Sequence, residues 1–344
     1  MPDDATFMSR ALALAALGRR TVSPNPMVGC VIVRDGEVVG EGWHRRAGEP
    51  HAEAVALRAA AQKARGAAAY ISLEPCNHTG RTGPCTTALI DAGVTRVVAA
   101  VADPHPMAAG GADTLRAAGI TVDTGVLGDQ ARRLNEVFFH GVQTQRPFVV
   151  AKVAASLDGR LAAADGTSQW LTGEAARRRV HELRAEVDAV LIGSGTVLAD
   201  DPQLTCRLDE YRGPQPLRVV LDRRGRVTHE HRVNDAAAET VISHDSPADT
   251  LRTLWDRDVR SVLVEGGAAV LHAFLAAGLV DRLHVHVAPV LLGEQGRPLL
   301  AGPWTQTLSD APRWNLENVE RTGDDVLLSL SPEKPAADAF PQDH

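Results

Sequence analysis

Hydrophobic residues at the start of the chain recur at the spacing of an amphipathic helix. Phe7, Met8, Ala11, Leu12 and Ala15 fall on one face, which predicts a helix over residues 6–20. Two runs at 27–33 and 37–42 flank an Asp-Gly pair, which favours a tight hairpin between two strands. The same patterns predict helices over 51–65 and 85–92 and strands over 68–73 and 95–102. This alternation is typical of an α/β layer structure.

A second series of elements begins near residue 147. Its patterns predict a helix over 174–186 and strands over 148–154, 187–192, 217–221, 240–243, 261–264 and 282–288. A helical stretch at 129–140 and a polar segment at 143–147 separate the two series. We therefore predict a first domain over 1–145, a second over 146–332, and a disordered tail over 333–344.

Composition narrows the class of protein. At 344 residues the chain exceeds the roughly 250–300 that one hydrophobic core usually serves, and no apolar run approaches the roughly 20 residues of a membrane span. The formal charge is −7, from 36 basic and 43 acidic residues, which disfavours nucleic acid as a partner. Four cysteines are too few for disulfides to stabilise a chain of this length, and the first residues lack the basic and apolar segments of a signal peptide. We expect a cytoplasmic protein with reduced thiols and no membrane contact.

The strongest chemical pattern joins His51 and Glu53 to Cys76 and Cys85. One imidazole and two thiolates make three zinc ligands, and catalytic zinc sites keep the fourth position for water. Glu53 follows the histidine by two residues and is suited to carry a proton to a leaving amine. Zinc deaminases share this His-x-Glu and Pro-Cys arrangement, although their cysteines are usually closer together than these, which have eight residues between them.

Several residues also have a purely structural interpretation. Cys76 and Cys85 could be ordinary buried thiols, but Cys30 and Cys206 fit that interpretation better because no other candidate ligand accompanies them. His284 and His286 alternate along a predicted strand and are expected to be packing residues. The glycine pairs at 193–196 and 265–269 suit plain turns or phosphate cradles, and neither is a dinucleotide fingerprint.

On the motifs at 23–29, 42–53 and 74–85, the chain resembles the bifunctional deaminase–reductase family of riboflavin biosynthesis. The eight residues between the two cysteines separate this family from general cytidine deaminases. The stretch 152–292 resembles the reductase domain of the same family through its motifs at 154–160, 168–172, 195–202, 204–207 and 264–267. The resemblance implies a cytidine-deaminase-like domain followed by a dihydrofolate-reductase-like α/β domain. It also implies one Zn²⁺ per chain, NADPH, and self-association through the second domain.

The resemblance further implies the chemistry and the site residues. The first domain would deaminate 2,5-diamino-6-ribosylamino-4(3H)-pyrimidinone 5′-phosphate, and the second would reduce the ribosyl group of 5-amino-6-(5-phosphoribosylamino)uracil to ribityl. The deaminase substrate contacts would be Asn25, His44, His78, Arg81 and Asp103. The NADPH contacts would be Ala154, Trp170, Thr196, Asp200 and the loop residues Gly267, Ala268, Ala269, Val270, Leu271, His272 and Ala273. The reductase substrate contacts would be Ser168, Arg184, Leu204, Arg207 and Glu265, with Lys152 and Asp200 near the reacting carbon.

The chain departs from the family pattern at His105, in the glycine pattern at 109–111, and at Arg223. His105 stands where an asparagine is usual, and Arg223 could meet the 2′-phosphate of NADPH or face solvent. Arg177 to Arg179 are expected to form a solvated helix face. Two other functions remain open: a zinc deaminase of another nucleotide or nucleic-acid base with a non-catalytic oligomerisation domain, and a non-enzyme in which zinc is a structural clamp.

Overall fold

The computed structural model describes residues 3–78 and 83–333. The chain divides into two compact units, Met1–Gln145 and Arg146–His344. Of the expected features, Arg81 and all of the predicted tail except Glu333 lie outside the described residues. None of the helices in the described segments is long and apolar enough to cross a lipid bilayer.

The first unit is built on a five-stranded sheet. Its strands are β1 (Gly29–Arg34), β2 (Glu37–Trp43), β3 (Ala68–Ile71), β4 (Arg96–Ala99) and β5 (Thr121–Thr124), in the order β2-β1-β3-β4-β5. Its helices are α1 (Asp4–Ala16), α2 (Ala52–Ala60), α3 (Cys85–Asp91), α4 (Gly111–Ala117), α5 (Gly128–Leu134) and α6 (Glu136–Thr144). β1 is antiparallel to β2 and β3, whereas β3, β4 and β5 are parallel.

Alternate residues of β1 enter two separate cores, which explains its unbroken apolar sequence. Cys30 and Ile32 pack with alanines of α2 and with Leu89 of α3, while Val31 packs with residues of α1 on the opposite face of the sheet. Residues two apart along a strand share a face, so helices cover both sides of this sheet. The result is a three-layer α/β/α unit.

Two packing details position the elements near the candidate site. At Gly42 a Cβ would lie 2.5 Å from the carbonyl oxygen of Ala52, so only glycine lets the start of α2 approach β2 this closely. The predicted helix at 129–140 is two helices, α5 and α6, which meet at Asn135. The Asn135 amide is 2 % exposed and bonds both backbone groups of Met27, so it ties this junction to the segment before β1.

The second unit contains an eight-stranded mixed sheet. Its strands follow the order β10-β9-β8-β11-β6-β12-β15-β14, and the last two strands are antiparallel additions to a parallel set. The bounds are β6 (Phe148–Ser156), β7 (Arg160–Ala162), β8 (Ala189–Gly193), β9 (Leu217–Leu221), β10 (Thr240–Ser243), β11 (Ser261–Val264), β12 (Arg282–Ala288), β13 (Arg297–Pro298), β14 (Trp314–Thr322) and β15 (Asp325–Pro332). The helices are α7 (Glu174–Glu186), α8 (Ser194–Asp200), α9 (Pro247–Trp255) and α10 (Ala268–Ala276), and β13 pairs with β7 in a small separate sheet.

The two faces of this large sheet differ in chemistry. Val149, Ala151 and Val153 of β6 enter an apolar core with residues of α9 and α10. Lys152 alternates with them and therefore points to the other face, where its registered neighbour on β12 is His284. A lysine between the buried Ala151 and Val153 on a central strand is unusual, so the polar face is a candidate for a functional site.

Candidate active sites

The three predicted zinc ligands converge although they come from three separate elements. His51 is the residue before α2, Cys76 follows β3, and Cys85 opens α3. The His51 Nδ1 atom lies 3.2 Å from the Cys85 Sγ and 3.5 Å from the Cys76 Sγ, and all three ligand atoms lie within 4.8 Å of one another. Across residues 3–78 and 83–333 this is the one cluster of at least three His, Cys, Asp or Glu side chains arranged to hold a metal ion. One nitrogen and two sulfurs are the donor set that zinc prefers.

The electrostatics of this triad favour a deprotonated thiol. Hydrogen bonds from Cys85 and His51 lower the pKa of Cys76, and the same contact with Cys76 raises the pKa of His51. The pKa of Cys85 is raised by its contact with Cys76 and by burial. The lowered pKa of Cys76 favours its thiolate, the form of cysteine that binds a metal ion.

Glu53 completes the first site. It lies in the first turn of α2, is 3 % exposed, and interacts with the Cys85 thiol. Burial raises the pKa of its carboxyl group. A buried carboxyl group with a raised pKa next to a metal-type triad is suited both to accept and to donate a proton.

Four of the five expected deaminase substrate residues lie within the described structure, and they differ in their contacts. Asn25 bonds to the buried His44, whose ring packs edge-on against His51 with centroids 5.4 Å apart. The Nδ1 atom of His78 is buried and has no hydrogen-bond partner within the described structure. Burial raises the pKa of Asp103 to about 6.

The sequence analysis assigned no role to Glu74, which fixes the segment that carries Asp103. Its buried carboxylate accepts the backbone N–H of Asp103 at 3.0 Å and that of Ala112 at 2.8 Å. A Cβ on Gly111 would lie 2.0 Å from the Pro75 carbonyl oxygen, so this segment packs directly beside Cys76. The sequence signal for this role is a glutamate directly before the Pro-Cys pair that carries a candidate ligand.

The second unit brings Lys152, Arg184 and Glu265 together. Arg184 of α7 donates two hydrogen bonds to the Glu265 carboxylate, at 2.6 and 2.9 Å, and a third to the Thr205 carbonyl at 3.0 Å. Burial raises the pKa of Glu265, but the Arg184 guanidinium outweighs this and leaves the pKa below its usual value. Burial lowers the pKa of Lys152, and Glu265 opposes that shift. The cluster therefore holds two cations and one anion on the polar face of the sheet.

The expected cofactor residues differ in their contacts and in the accessibility of their side chains. The Thr196 hydroxyl accepts a hydrogen bond from the Gly267 N–H at 3.3 Å, which joins the first turn of α8 to the loop after β11. Trp170 is 70 % exposed and stacks on Arg177, so Arg177 is not simply solvated as expected. Leu271 is 1 % exposed and belongs to the apolar core, so its side chain is unavailable to a ligand. The remaining loop residues and Ala154 are exposed or partly so, and Asp200 is exposed at the end of α8.

The other expected reductase residues differ in accessibility. Ser168 and Arg207 are exposed, whereas Leu204 is 2 % exposed, so it could contact a ligand only through its backbone. His284 and His286 are buried on the polar face, and His284 lies 3.2 Å from the Ser329 hydroxyl. Cys30 and Cys206 are both buried free thiols.

Known proteins resemble this chain along nearly its whole length. The riboflavin biosynthesis protein RibD of Escherichia coli is 46 % identical over 362 aligned positions, covering 95 % of this chain and 99 % of that protein. The RibD of Mycobacterium tuberculosis is 48 % identical, covering 90 % and 92 %. A solved structure of Acinetobacter baumannii RibD superimposes with a TM-score of 0.90 at 40 % identity, covering 96 % and 99 %.

A Thermotoga maritima structure, described as a diaminohydroxyphosphoribosylaminopyrimidine deaminase/5-amino-6-(5-phosphoribosylamino)uracil reductase, gives a TM-score of 0.90 at 39 % identity and covers 96 % of this chain and 98 % of that one. Two family models also match: the cytidine and deoxycytidylate deaminase zinc-binding region over residues 1–101 and the RibD C-terminal domain over 147–328.

Fold and site together define an α/β protein that joins a zinc-deaminase-type unit to a RibD C-terminal unit. The predicted fold class is thereby confirmed. The chain belongs to the RibD family of riboflavin biosynthesis proteins, as its sequence motifs predicted.

Proposed function

We propose that this chain is a bifunctional enzyme of riboflavin biosynthesis. The first unit deaminates 2,5-diamino-6-ribosylamino-4(3H)-pyrimidinone 5′-phosphate, and the second reduces the ribosyl group of 5-amino-6-(5-phosphoribosylamino)uracil with NADPH. The observation that carries the proposal is the pairing, in one chain, of the His51–Cys76–Cys85 triad beside Glu53 with a separate buried cation cluster. The full-length similarity to RibD proteins supports it.

In the deaminase unit, the triad would hold one Zn²⁺ ion and Glu53 would move protons. A zinc ion bound there supplies Lewis acidity that makes water nucleophilic at a pH near about 7. Glu53 would accept a proton from the attacking water and donate one to the amino group, which would leave the pyrimidine ring as ammonia. Its burial keeps the carboxyl group shielded from bulk water during both transfers. Asn25, His78, Arg81 and Asp103 are proposed to contact the substrate, with His44 beside Asn25.

In the second unit, the polar face of the sheet would bind the phosphorylated ribosylamine. NADPH supplies the hydride, and reduction of the ribose C1′ opens the ring to a ribityl chain and consumes one proton. Lys152 and the exposed Arg207 are the cations available to substrate oxygens, because Arg184 already gives two N–H groups to Glu265. We place NADPH against Ala154, Trp170, Thr196, Asp200 and the accessible residues of the loop 267–273, with Ser168 and the Leu204 backbone toward the substrate.

The wider setting follows from the same proposal. The partners are small pyrimidine nucleotides, with neither nucleic acid nor membrane, and copies of the chain self-associate through the second domain in the cytoplasm. The acidic net charge of −7 supports the exclusion of nucleic acid. The proposed domain limits are 1–145 for the deaminase and 146–332 for the reductase.

The direct test supplies the diaminopyrimidinone phosphate together with NADPH and follows ammonia and NADP⁺ in one reaction. We expect both products, with NADP⁺ appearing after ammonia. The deaminated intermediate, supplied separately, should give NADP⁺ alone. Absence of ammonia from the first substrate would contradict the function proposed for the first unit. Absence of NADP⁺ from the deaminated intermediate would contradict the function proposed for the second unit.

Replacing Cys76 with Ser should remove zinc and ammonia release while leaving NADPH oxidation intact. The serine hydroxyl is a far weaker zinc ligand than a thiolate, and only two donors of the triad remain. Metal analysis of purified protein should find about one zinc per chain in the wild type and little in the variant. Cys206→Ser is the matched control, since Cys206 is a buried free thiol of the second unit. Equal zinc content in both variants would contradict the assignment.

A further inference from the structure

His44 has little surface from which to contact a substrate. Its side chain lies beside the zinc-type triad but the residue is only 3 % exposed. Family resemblance alone places it among the substrate contacts. The hydrogen bonds of its ring indicate a different role.

Both ring nitrogens of His44 are committed within the protein. Nδ1 lies 3.3 Å from the carbonyl oxygen of Pro50, and Nε2 lies 3.0 Å from the Asn25 side-chain nitrogen. A carbonyl oxygen can only accept, so Nδ1 carries the proton. In a neutral imidazole Nε2 is then the acceptor, and the Asn25 amide nitrogen donates to it.

This arrangement sets the orientation of the Asn25 amide. Once its nitrogen is held by His44, its Oδ1 atom is the end left for a ligand. Asn25 is only partly buried, and its own backbone N–H is fixed by the Val22 carbonyl at 2.8 Å, so both ends of the residue are restrained. An oriented amide oxygen accepts hydrogen bonds from a ring N–H or an amino group.

We infer that His44 is a positioning residue, which does not contact the substrate but fixes Asn25 so that its Oδ1 atom accepts from an N–H donor of the pyrimidine. This inference rests on the proposed deaminase function. The edge-on packing of the His44 ring against His51 places the pair beside the metal-type triad. The recognised chemistry is an amino-pyrimidine edge, in which an N–H donor lies next to the group that leaves.

Two substitutions of similar size separate the two hydrogen bonds of His44. In His44→Gln the amide reaches about as far as Nε2 and can still accept from Asn25, whereas the shorter His44→Asn can bond only near Pro50. We expect His44→Asn to raise the KM for deamination about tenfold, the effect of about one lost hydrogen bond, with kcat changing less. His44→Gln should stay within about threefold of the wild type.

A double-mutant cycle with Asn25→Ala provides the decisive measurement. If His44 acts through Asn25, adding His44→Asn to Asn25→Ala should produce little further change in KM. The inference would be overturned if the effects of His44→Asn and Asn25→Ala on the KM multiplied in the double variant. It would also be overturned if His44→Gln and His44→Asn raised the KM equally. So would loss of zinc from His44→Asn, because the effect would then pass through His51.

Tyr70→Phe is the matched control, because it removes a partly buried hydrogen bond to Asp4 elsewhere in the same unit. It should leave the KM for deamination unchanged. NADPH oxidation with the deaminated intermediate checks that each variant is otherwise intact. If the wild-type protein releases no ammonia from the substrate, the proposed function itself fails. If the wild type is active but substitution of His44 leaves its KM unchanged, only the inference about His44 fails.

Discussion

Replacing Glu53 with Gln should slow ammonia release by about 10²- to 10⁴-fold, the usual contribution of a positioned proton carrier. Glutamine matches the size and hydrogen-bonding reach of glutamate, but it cannot accept and return a proton. Because Glu53 is 3 % exposed, bulk water has little access from which to replace it. Ammonia release from the diaminopyrimidinone phosphate, measured at saturating substrate, reports this loss in kcat.

The second unit provides an internal control for this variant. NADPH oxidation with the deaminated intermediate should be unchanged in Glu53→Gln, and zinc content should stay near that of the wild type because Glu53 is not one of the three ligands. Glu49→Gln, an exposed carboxylate four residues earlier, should have no effect on either activity. A Glu53→Gln enzyme that still releases ammonia at the wild-type rate would remove Glu53 from the mechanism.

The sequence predicted the first site well because its chemistry depends on a few unusual residues. His51, Cys76 and Cys85 lie at the ends of elements whose periodicity is clear, and parallel strands bring such ends to one edge of a sheet. The bond between His44 and Asn25 could not be predicted in the same way, since it depends on the path of the chain before β1 and on the orientation of one amide.

The errors in the secondary structure have physical causes as well. Residues 129–140 keep helical periodicity through Asn135, and only the bonds of its side chain to Met27 explain the break. The hairpin of β14 and β15 was not predicted. β14 is exposed along almost its whole length, so its sequence lacks the alternation of a strand with one buried face.

The second site shows the limit of motif reasoning more clearly. The resemblance named both Arg184 and Glu265 as substrate contacts, although they are 81 residues apart. The structure shows that they first bind each other, with side chains only 10 % and 9 % exposed. Such a pairing needs the packing of α7 against the sheet, which no local pattern records. It also changes the experiment that can test either residue.

Arg184→Met should destabilise the second unit by about 3–5 kcal/mol and abolish NADPH oxidation. Removing the arginine leaves the Glu265 carboxylate buried without its partner, and an uncompensated buried charge is costly. Urea unfolding followed by a signal from the second unit measures the loss. Arg252→Met is the matched control, because the Arg252–Asp249 pair is 71 % and 53 % exposed and should contribute at most about 1 kcal/mol.

The double variant Arg184→Met/Glu265→Met separates stability from function. Replacing a buried ion pair by apolar side chains is often neutral or stabilising, so the double variant should recover much of the lost stability. It should remain inactive, because Lys152 then lacks the carboxylate that supports its charge. Recovery of NADPH oxidation together with stability would show that the pair is only structural.

The pH dependence of stability gives an independent check on the same pair. Because Arg184 holds the pKa of Glu265 below its usual value, the contribution of Glu265 to stability is fully present above that usual pKa. It is lost as the pH falls through the lowered value, when the carboxylate of the folded protein takes up a proton. The wild type should therefore lose more stability than the double variant on acidification. Parallel losses in the two proteins would mean that the ion pair contributes no acid-sensitive stability.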